Sequence, residues 1–428
     1  MILLLGSLAI CLIIGIPIAF SLGFSGMLYF VVNNPSLLGV IPKRVFSGYN
    51  SYSMIALPLF ILMGQLMNDS GITKRIIDFS NLIFGRLKGG LGCINVFASM
   101  IFGGISGSSA SDTASIGAIL IPEMENRGYP KEYAAGITVA SSTMGMIIPP
   151  SVPMILFCVT SEQSVGRLFL AGAIPGLLIG VFQLVINLVL SYKRDYPRGD
   201  FAYSVKFVVQ TVRTSLVALI MPIFVVGSVV FGIATANESA AFGVMYAIVV
   251  GLWIFKGLRM KALPRLFLQA MKTCSSIMMI IAMSKIYIWI LTIEKVPQNL
   301  AAFVTGMNLS PTLMLIAIMI LILIAGTFID VTPAILLITP VFLQPVLAAG
   351  IQVEQFGALL IAGLAVGAVT PPVGTCLNVA AAISKMGIER IFKGAIPFLV
   401  GNVLVLLLVC LFPPLTTWLP SLLINFGR

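Results

Sequence analysis

Long apolar runs separated by short polar breaks recur from one end of the chain to the other. Runs near membrane-spanning length cover 2–32, 51–69, 168–191, 214–231, 240–255, 268–292 and 394–413. They predict an all-α polytopic integral membrane protein. Residues 2–32 exceed what one bilayer needs at about 1.5 Å per residue, and Gly15-Ile16-Pro17 predicts two short helices in place of one long one. The first run lacks a basic start and a small-residue cleavage site, so it reads as a retained helix and not as a signal peptide. The last leaves a short tail in which Trp418 is an expected interfacial anchor.

Two regions break the pattern. Residues 89–126 start and end beside basic residues, yet hold two apolar arms joined by "GGISGSSASD", Gly103 to Asp112. Each arm looks short for a full crossing, which predicts a re-entrant hairpin with its tip near mid-membrane. Residues 312–349 repeat the shape around "AGTFIDVTP" and are expected to enter from the opposite face. Thiol reagents should then reach Ser108 and Thr332 from opposite sides.

After each hairpin comes an apolar helix interrupted by a double proline, Pro149-Pro150 within 133–160 and Pro371-Pro372 within 356–384. Proline removes a backbone donor and clashes with the preceding turn, so each helix should split around an unwound linker. One offset relates the two proline pairs, the two "GAIP" segments at Gly172 and Gly394, and Gly104 with Gly326; it shortens at Pro122 and Pro340. The expected organisation is a single transmembrane domain, 1–428, made of two inverted repeats, 1–213 and 214–428.

Composition sharpens this. Of 428 residues, 59% are hydrophobic and 9% charged, and the net charge is +11. Most of the 25 Lys and Arg fall in five clusters, at 74–88, 127–131, 193–213, 256–272 and 385–393. Lying between apolar runs, they read as cytoplasmic topology signals and not as a nucleic-acid surface. Histidine is absent, which excludes Ser-His catalysis, HExxH zinc sites and imidazole proton relays. The six cysteines stand singly in apolar stretches and read as small hydrophobes.

Lipid offers no hydrogen-bond partner, so non-helical backbone at membrane depth must be buried by protein or line a watery cavity. Half-helix N-termini suit an anion, and unwound carbonyls suit Na⁺. One cation cluster combines Ser106, Ser108 and Asp112 with carbonyls around Gly145 and Ile148. The other combines Gly326, Thr327 and Asp330 with carbonyls around Gly367, Thr370 and Val373. Oxygen ligands fit a hard cation, and two clusters imply at least two Na⁺. Gly and Ser also pack transmembrane helices closely, but mirrored placement beside broken helices favours a site. Asp112 has a second reading, as the cap of a helix starting at Thr113. Lys285 is either a substrate or partner contact or a snorkelling base, and Glu238 is an expected helix cap.

The segments "GGISGSSASDTASIGAILIPEM", "GIATANESAAFG", "GTFIDVTPAILLITPVFLQP" and "GAVTPPVGTCLN" resemble signatures of the large membrane subunit of tripartite ATP-independent periplasmic (TRAP) transporters, in order and across essentially the whole chain. The resemblance implies a bacterial inner-membrane symporter driven by Na⁺, with an elevator-type motion of the unit carrying both hairpins. It further implies a small four-helix membrane partner, surrounding membrane lipid and a periplasmic binding protein that delivers an organic acid. Without that small subunit, the chain alone should be inactive. Length and tone are closest to the sialic acid type, with a C4-dicarboxylate system as the alternative. Carried over by position, the Na⁺ sites fall on the two clusters and the substrate contacts on Ser106, Ser151 and Asp330. Asn237, where the family usually has Thr, is a departure. Two other classes compete: an intramembrane aspartyl protease using Asp112 and Asp330, and a channel, which would show conductance far above carrier turnover.

Overall fold

Glycine and proline decide where most of these helices stop. In the computed structural model, which describes residues 2–50, 52–199, 204–306 and 310–424, Gly15 at φ +87° and Pro17 separate Ile2–Ile13 from Ile18–Asn33, as expected. No strand occurs among the described residues. Seven of their helices are long and apolar enough to cross a bilayer. An eighth span is the pair Lys131–Ile147 and Val152–Ser161, bent by 40° at the first double proline.

The helices form two groups. Ile18–Asn33, Ile41–Tyr49 and Ala56–Asp69 pack on the long helix Leu263–Ile293, and Ala236–Val249 packs on Ala56–Asp69. The other group holds both hairpins, both broken helices and the helices Val165–Lys193 and Ile388–Leu411. Between the two groups lies the surface on which the hairpin tips end.

The hairpins are Gly90–Ser106 with Ser109–Asn126, and Pro311–Phe328 with Val331–Ala348. Their arms have 17, 18, 18 and 18 residues, about 27 Å each at about 1.5 Å per residue. They are therefore longer than expected, and both arms of the second hairpin are among the seven span-length helices. What marks these segments as hairpins is that each tip packs on an unwound linker.

The second half of each broken helix packs on the second arm of the other hairpin: Val152–Ser161 on Val331–Ala348, and Thr375–Ser384 on Ser109–Asn126. The two broken helices also start at opposite ends of the bundle. Lys131–Ser142 starts beside Ile388–Leu411, where a Cβ built on Gly394 would fall 1.9 Å from the Glu132 carbonyl oxygen. Val353–Gly367 starts beside Val165–Lys193, where Arg167 Nε pairs with Glu354 at 2.5 Å. This reciprocal arrangement is what an inverted repeat requires.

Bases from different clusters meet at one end of the molecule. Lys88 pairs with Asp195, the Tyr129 hydroxyl donates to the Pro197 carbonyl at 3.2 Å, and Lys131 pairs with Glu125 at 3.0 Å. Arg75 stacks over Phe255 at 3.8 Å and donates to its carbonyl at 3.3 Å. The approach of Gly394 to Glu132 brings the fifth cluster alongside the second. Such convergence is what clusters on one membrane side must do.

Three expectations change. The expected tail is a helix, Pro414–Ile424, folded back on Val165–Lys193, because Pro413-Pro414 ends the previous helix and starts a new one; Trp418 on it is exposed. The expected division at 213/214 falls inside the continuous helix Val205–Val230, so Arg213 is helical and not in a loop. Helices Ile41–Tyr49 and Val296–Gly306, too short and mixed to read as spans, were not expected.

Candidate functional site

At the first hairpin, Ser106 ends one arm, Gly107 turns the chain at φ +61°, and Ser108 precedes the next arm in extended conformation. The turn sits on the first linker, Ile148–Ser151. A Cβ on Gly103 would lie 2.9 Å from Gly145 Cα, and one on Gly104 would lie 2.9 Å from the Pro149 carbonyl oxygen. Only glycine lets these backbones approach so closely. The second hairpin repeats the contact: a Cβ on Gly367 would fall 2.5 Å from Gly326 Cα. The tip is fastened there by the Val373 N–H, which donates to the Thr327 carbonyl at 3.2 Å.

Both tips end on one cavity of about 630 Å³. The first brings Ser106, Gly107, Ser108, Ala110 and Ser111, and the second brings Asp330, Val331 and Thr332. The linkers add Met146, Val152, Pro153 and Thr375, and the opposite wall is Ile61, Gly64 and Gln65 with Thr273, Ser276, Ile277 and Ile280. Four helices of the hairpin group therefore start at this cavity, those beginning at Ser109, Val152, Val331 and Thr375. Pro153 and Pro333 carry no N–H and Met154 N is taken by the Ser151 hydroxyl; the other first-turn N–H groups have no intrahelical partners, and the helix dipoles favour negative charge there. Asp330 is the one charged residue lining it among the described residues. An anion entering would meet converging N–H groups and hydroxyls, with a cation needed to balance Asp330.

The expected residues divide. Ser106, Ser108 and Asp330 line the cavity; Gly145, Ile148, Gly326 and Gly367 form the backbone junctions behind it. Ser151 is 1% exposed and outside the lining; its hydroxyl donates to the Met146 carbonyl and accepts from Met154 N, capping Val152–Ser161. Thr327 and Thr370 line a separate, apolar groove with Phe392, Ile396 and Val400, and their hydroxyls donate to Ile324 and Val366 of their own helices, each at 2.8 Å. Val373 contributes its carbonyl to Asn378, at 2.8 Å. Ser108 and Thr332 share one cavity, so the tips, though entering from opposite faces, are not accessible only from opposite sides.

Asp112 does not cap a helix. Its helix starts at Ser109, and the carboxylate is 0% exposed behind the tip. One oxygen accepts from the Ser99 hydroxyl at 3.4 Å; the other has no partner among the described residues. Ser99, Ser141, Asn95 and Thr138 continue inward as a hydrogen-bonded chain, with links of 3.1, 2.9 and 2.6 Å. A carboxylate so buried demands a proton or a cation. Glu238 forms the expected cap, accepting from Thr235 N at 2.8 Å while Thr235 Oγ1 accepts from Glu238 N. Asn237, in the first turn of Ala236–Val249, donates to the Tyr52 carbonyl at 2.8 Å, tying that helix to the turn that precedes Ala56–Asp69. Lys285 lies against Gly48, away from the cavity.

Sequence reasoning missed Gln65, Thr273 and Ser276 on the facing wall. Gln65 is a single polar residue in an apolar run, and Thr273 and Ser276 lie in the mixed stretch "QAMKTCSS" beside a basic cluster, with no motif to mark any of them. Ser111, Thr332 and Thr375 were findable, since all three adjoin the hairpin or linker signatures.

Comparison with known proteins agrees with this architecture. A solved structure of the Alcanivorax borkumensis YdaH transporter, described as having an unusual topology, superposes with TM-score 0.61 at 13% identity, covering 92% of this chain and 89% of that one; it bears on fold alone. The sialic acid TRAP transporter large permease of Vibrio cholerae is 33% identical over 97% of both chains. The C4-dicarboxylate TRAP transporter large permease of Pseudomonas aeruginosa is also 33% identical, over 94% of both. The family described as "Tripartite ATP-independent periplasmic transporter, DctM component" matches residues 5–415. With likeness of this extent, the chain belongs to the DctM family of TRAP transporter large permeases.

Proposed function

We propose that this chain is the transporting subunit of a Na⁺-coupled symporter that imports an organic acid. The observation that carries the reading is the convergence of two hairpin tips and four helix N-termini on one cavity holding a single carboxylate. A carboxylate substrate would sit against the N–H groups, Ser106 and Ser108, while Asp330 holds cation charge close by. Buried Asp112 is a second place where a cation would be stabilised, which fits two or more Na⁺ per cycle. Gln65 near the end of Ala56–Asp69 and Thr273 in the first third of Leu263–Ile293 lie toward the base-bearing ends of their helices, which supports an inward-facing reading. Movement of the hairpin group past the facing helices, as an elevator, would expose the same residues on the other side.

The family consists of permease subunits and not enzymes, so the protease reading is set aside, and the chain is a multi-pass inner-membrane protein. Membership in a tripartite system implies a small four-helix membrane subunit and a periplasmic binding protein that hands over the acid. Sialic acid is our first choice of substrate because the lining is rich in hydroxyls, suited to a polyhydroxylated acid. A C4-dicarboxylate is the second reading, since a relative named for it is as similar as the one named for sialic acid. In proteoliposomes holding all three components, labelled N-acetylneuraminate or malate should accumulate only under an inward Na⁺ gradient. Uptake indifferent to Na⁺ would contradict the coupling.

A further inference from the structure

Resting on that reading, we propose that Gln65 is a specificity-determining residue, which accepts a hydrogen bond from a hydroxyl or amide N–H of the substrate while the cavity faces inward. Gln65 is not on the hairpins. It belongs to the facing helix Ala56–Asp69, half-buried, and lines the cavity opposite the tips. Its Oε1 is buried and has no hydrogen-bond partner among the described residues. Leaving a buried carbonyl oxygen unpaired is unfavourable, and a donor arriving in the cavity relieves it.

Its neighbour Gly64 explains how this residue comes so near the first tip. A Cβ there would lie 3.1 Å from the Ser106 carbonyl oxygen and 3.5 Å from Ser106 Cα, so the facing helix runs directly against the first tip. A carboxylate held at the helix N-termini would then place the rest of its body beside Gln65. Thr273 and Ser276, from the second facing helix, already donate to Gln269 and Lys272 at 3.1 Å each, so their hydroxyl donors are engaged, unlike the Gln65 acceptor. Contacts made by the facing helices are lost when the hairpin group moves. Gln65 would therefore act on substrate in this arrangement, at release.

The test bypasses the binding protein, which selects substrate on the outer side. The chain, small subunit and binding protein are reconstituted together, and unlabelled malate or succinate is trapped inside the vesicles. The concentration of internal acid that halves uptake of labelled malate or N-acetylneuraminate is then measured. Malate and succinate differ by one hydroxyl. In the wild type, malate should inhibit at about tenfold lower concentration than succinate, the effect of one hydrogen bond at a buried partner. Gln65→Met should bring the two within about twofold by weakening malate and leaving succinate unchanged; Gln65→Asn should keep part of the preference. Equal weakening of both acids, or a wild type that transports without preferring the hydroxylated acid, would overturn the proposal, the latter even if Gln65→Met failed to assemble. A wild type with no Na⁺-driven uptake at all would instead overturn the transport reading, and this inference with it.

Discussion

At the first hairpin Ser106 and Ser108 line the cavity and the acid, Asp112, is sealed behind them. At the second the acid, Asp330, lines the cavity, while Thr327 and Thr370 line a separate apolar groove and spend their hydroxyls on backbone carbonyls. One architecture, repeated, thus supports two divisions of labour. The backbone geometry is what repeats: a tip glycine against a linker glycine, followed by a half-helix whose start points at the cavity. Side chains are free to diverge on that frame, and the pairing of neutral donors with a single exposed carboxylate suits the joint entry of an anion and cations.

The difference predicts unequal responses to equivalent changes. The largest should come from Asp330→Asn, which removes the only charge lining the cavity among the described residues: Na⁺-driven uptake should fall at least about a hundredfold with the complex still assembled by size exclusion. Retained uptake would make the two acids interchangeable in role. Next come the junction glycines. Gly367→Ala sets a Cβ 2.5 Å from backbone, whereas Gly145→Ala meets its nearest atoms at 3.3 Å. The first should destabilise by about 1–3 kcal/mol and lower the melting temperature clearly, and the second should cost less. Equal melting temperatures would mean that the two junctions are equally loose. Smaller still, Ser106→Ala should weaken apparent substrate affinity about tenfold, whereas Thr327→Ala, whose hydroxyl serves its own helix, should change it less than about twofold. A larger effect at Thr327 would place that hydroxyl on the ion pathway.

Much of this was legible in the sequence because the bilayer restricts what backbone can do. Apolar length gave the spans, and paired prolines and glycine-rich tips gave the breaks, since each signal follows from hydrogen bonds that lipid cannot replace. The arms of the second hairpin misled on length, because an 18-residue helix serves either a crossing or an arm. The cavity lining was legible where it lies on those breaks, as at Ser106, Ser108 and Asp330. Ser151, next to a double proline, lies outside that lining and caps the next half-helix. The lining was not legible at Gln65, where a lone polar side chain gains meaning only from what faces it across the cavity.

The most direct test is whether one bound substrate covers both tips. In the reconstituted complex, Ser108→Cys and Thr332→Cys are each reacted with a bulky thiol reagent, with and without Na⁺ and the transported acid. Both positions line the same cavity, so substrate with Na⁺ should protect both to a similar extent, and the acid without Na⁺ should protect neither. Protection at one position with undiminished labelling at the other would show that the hairpins serve separate sites.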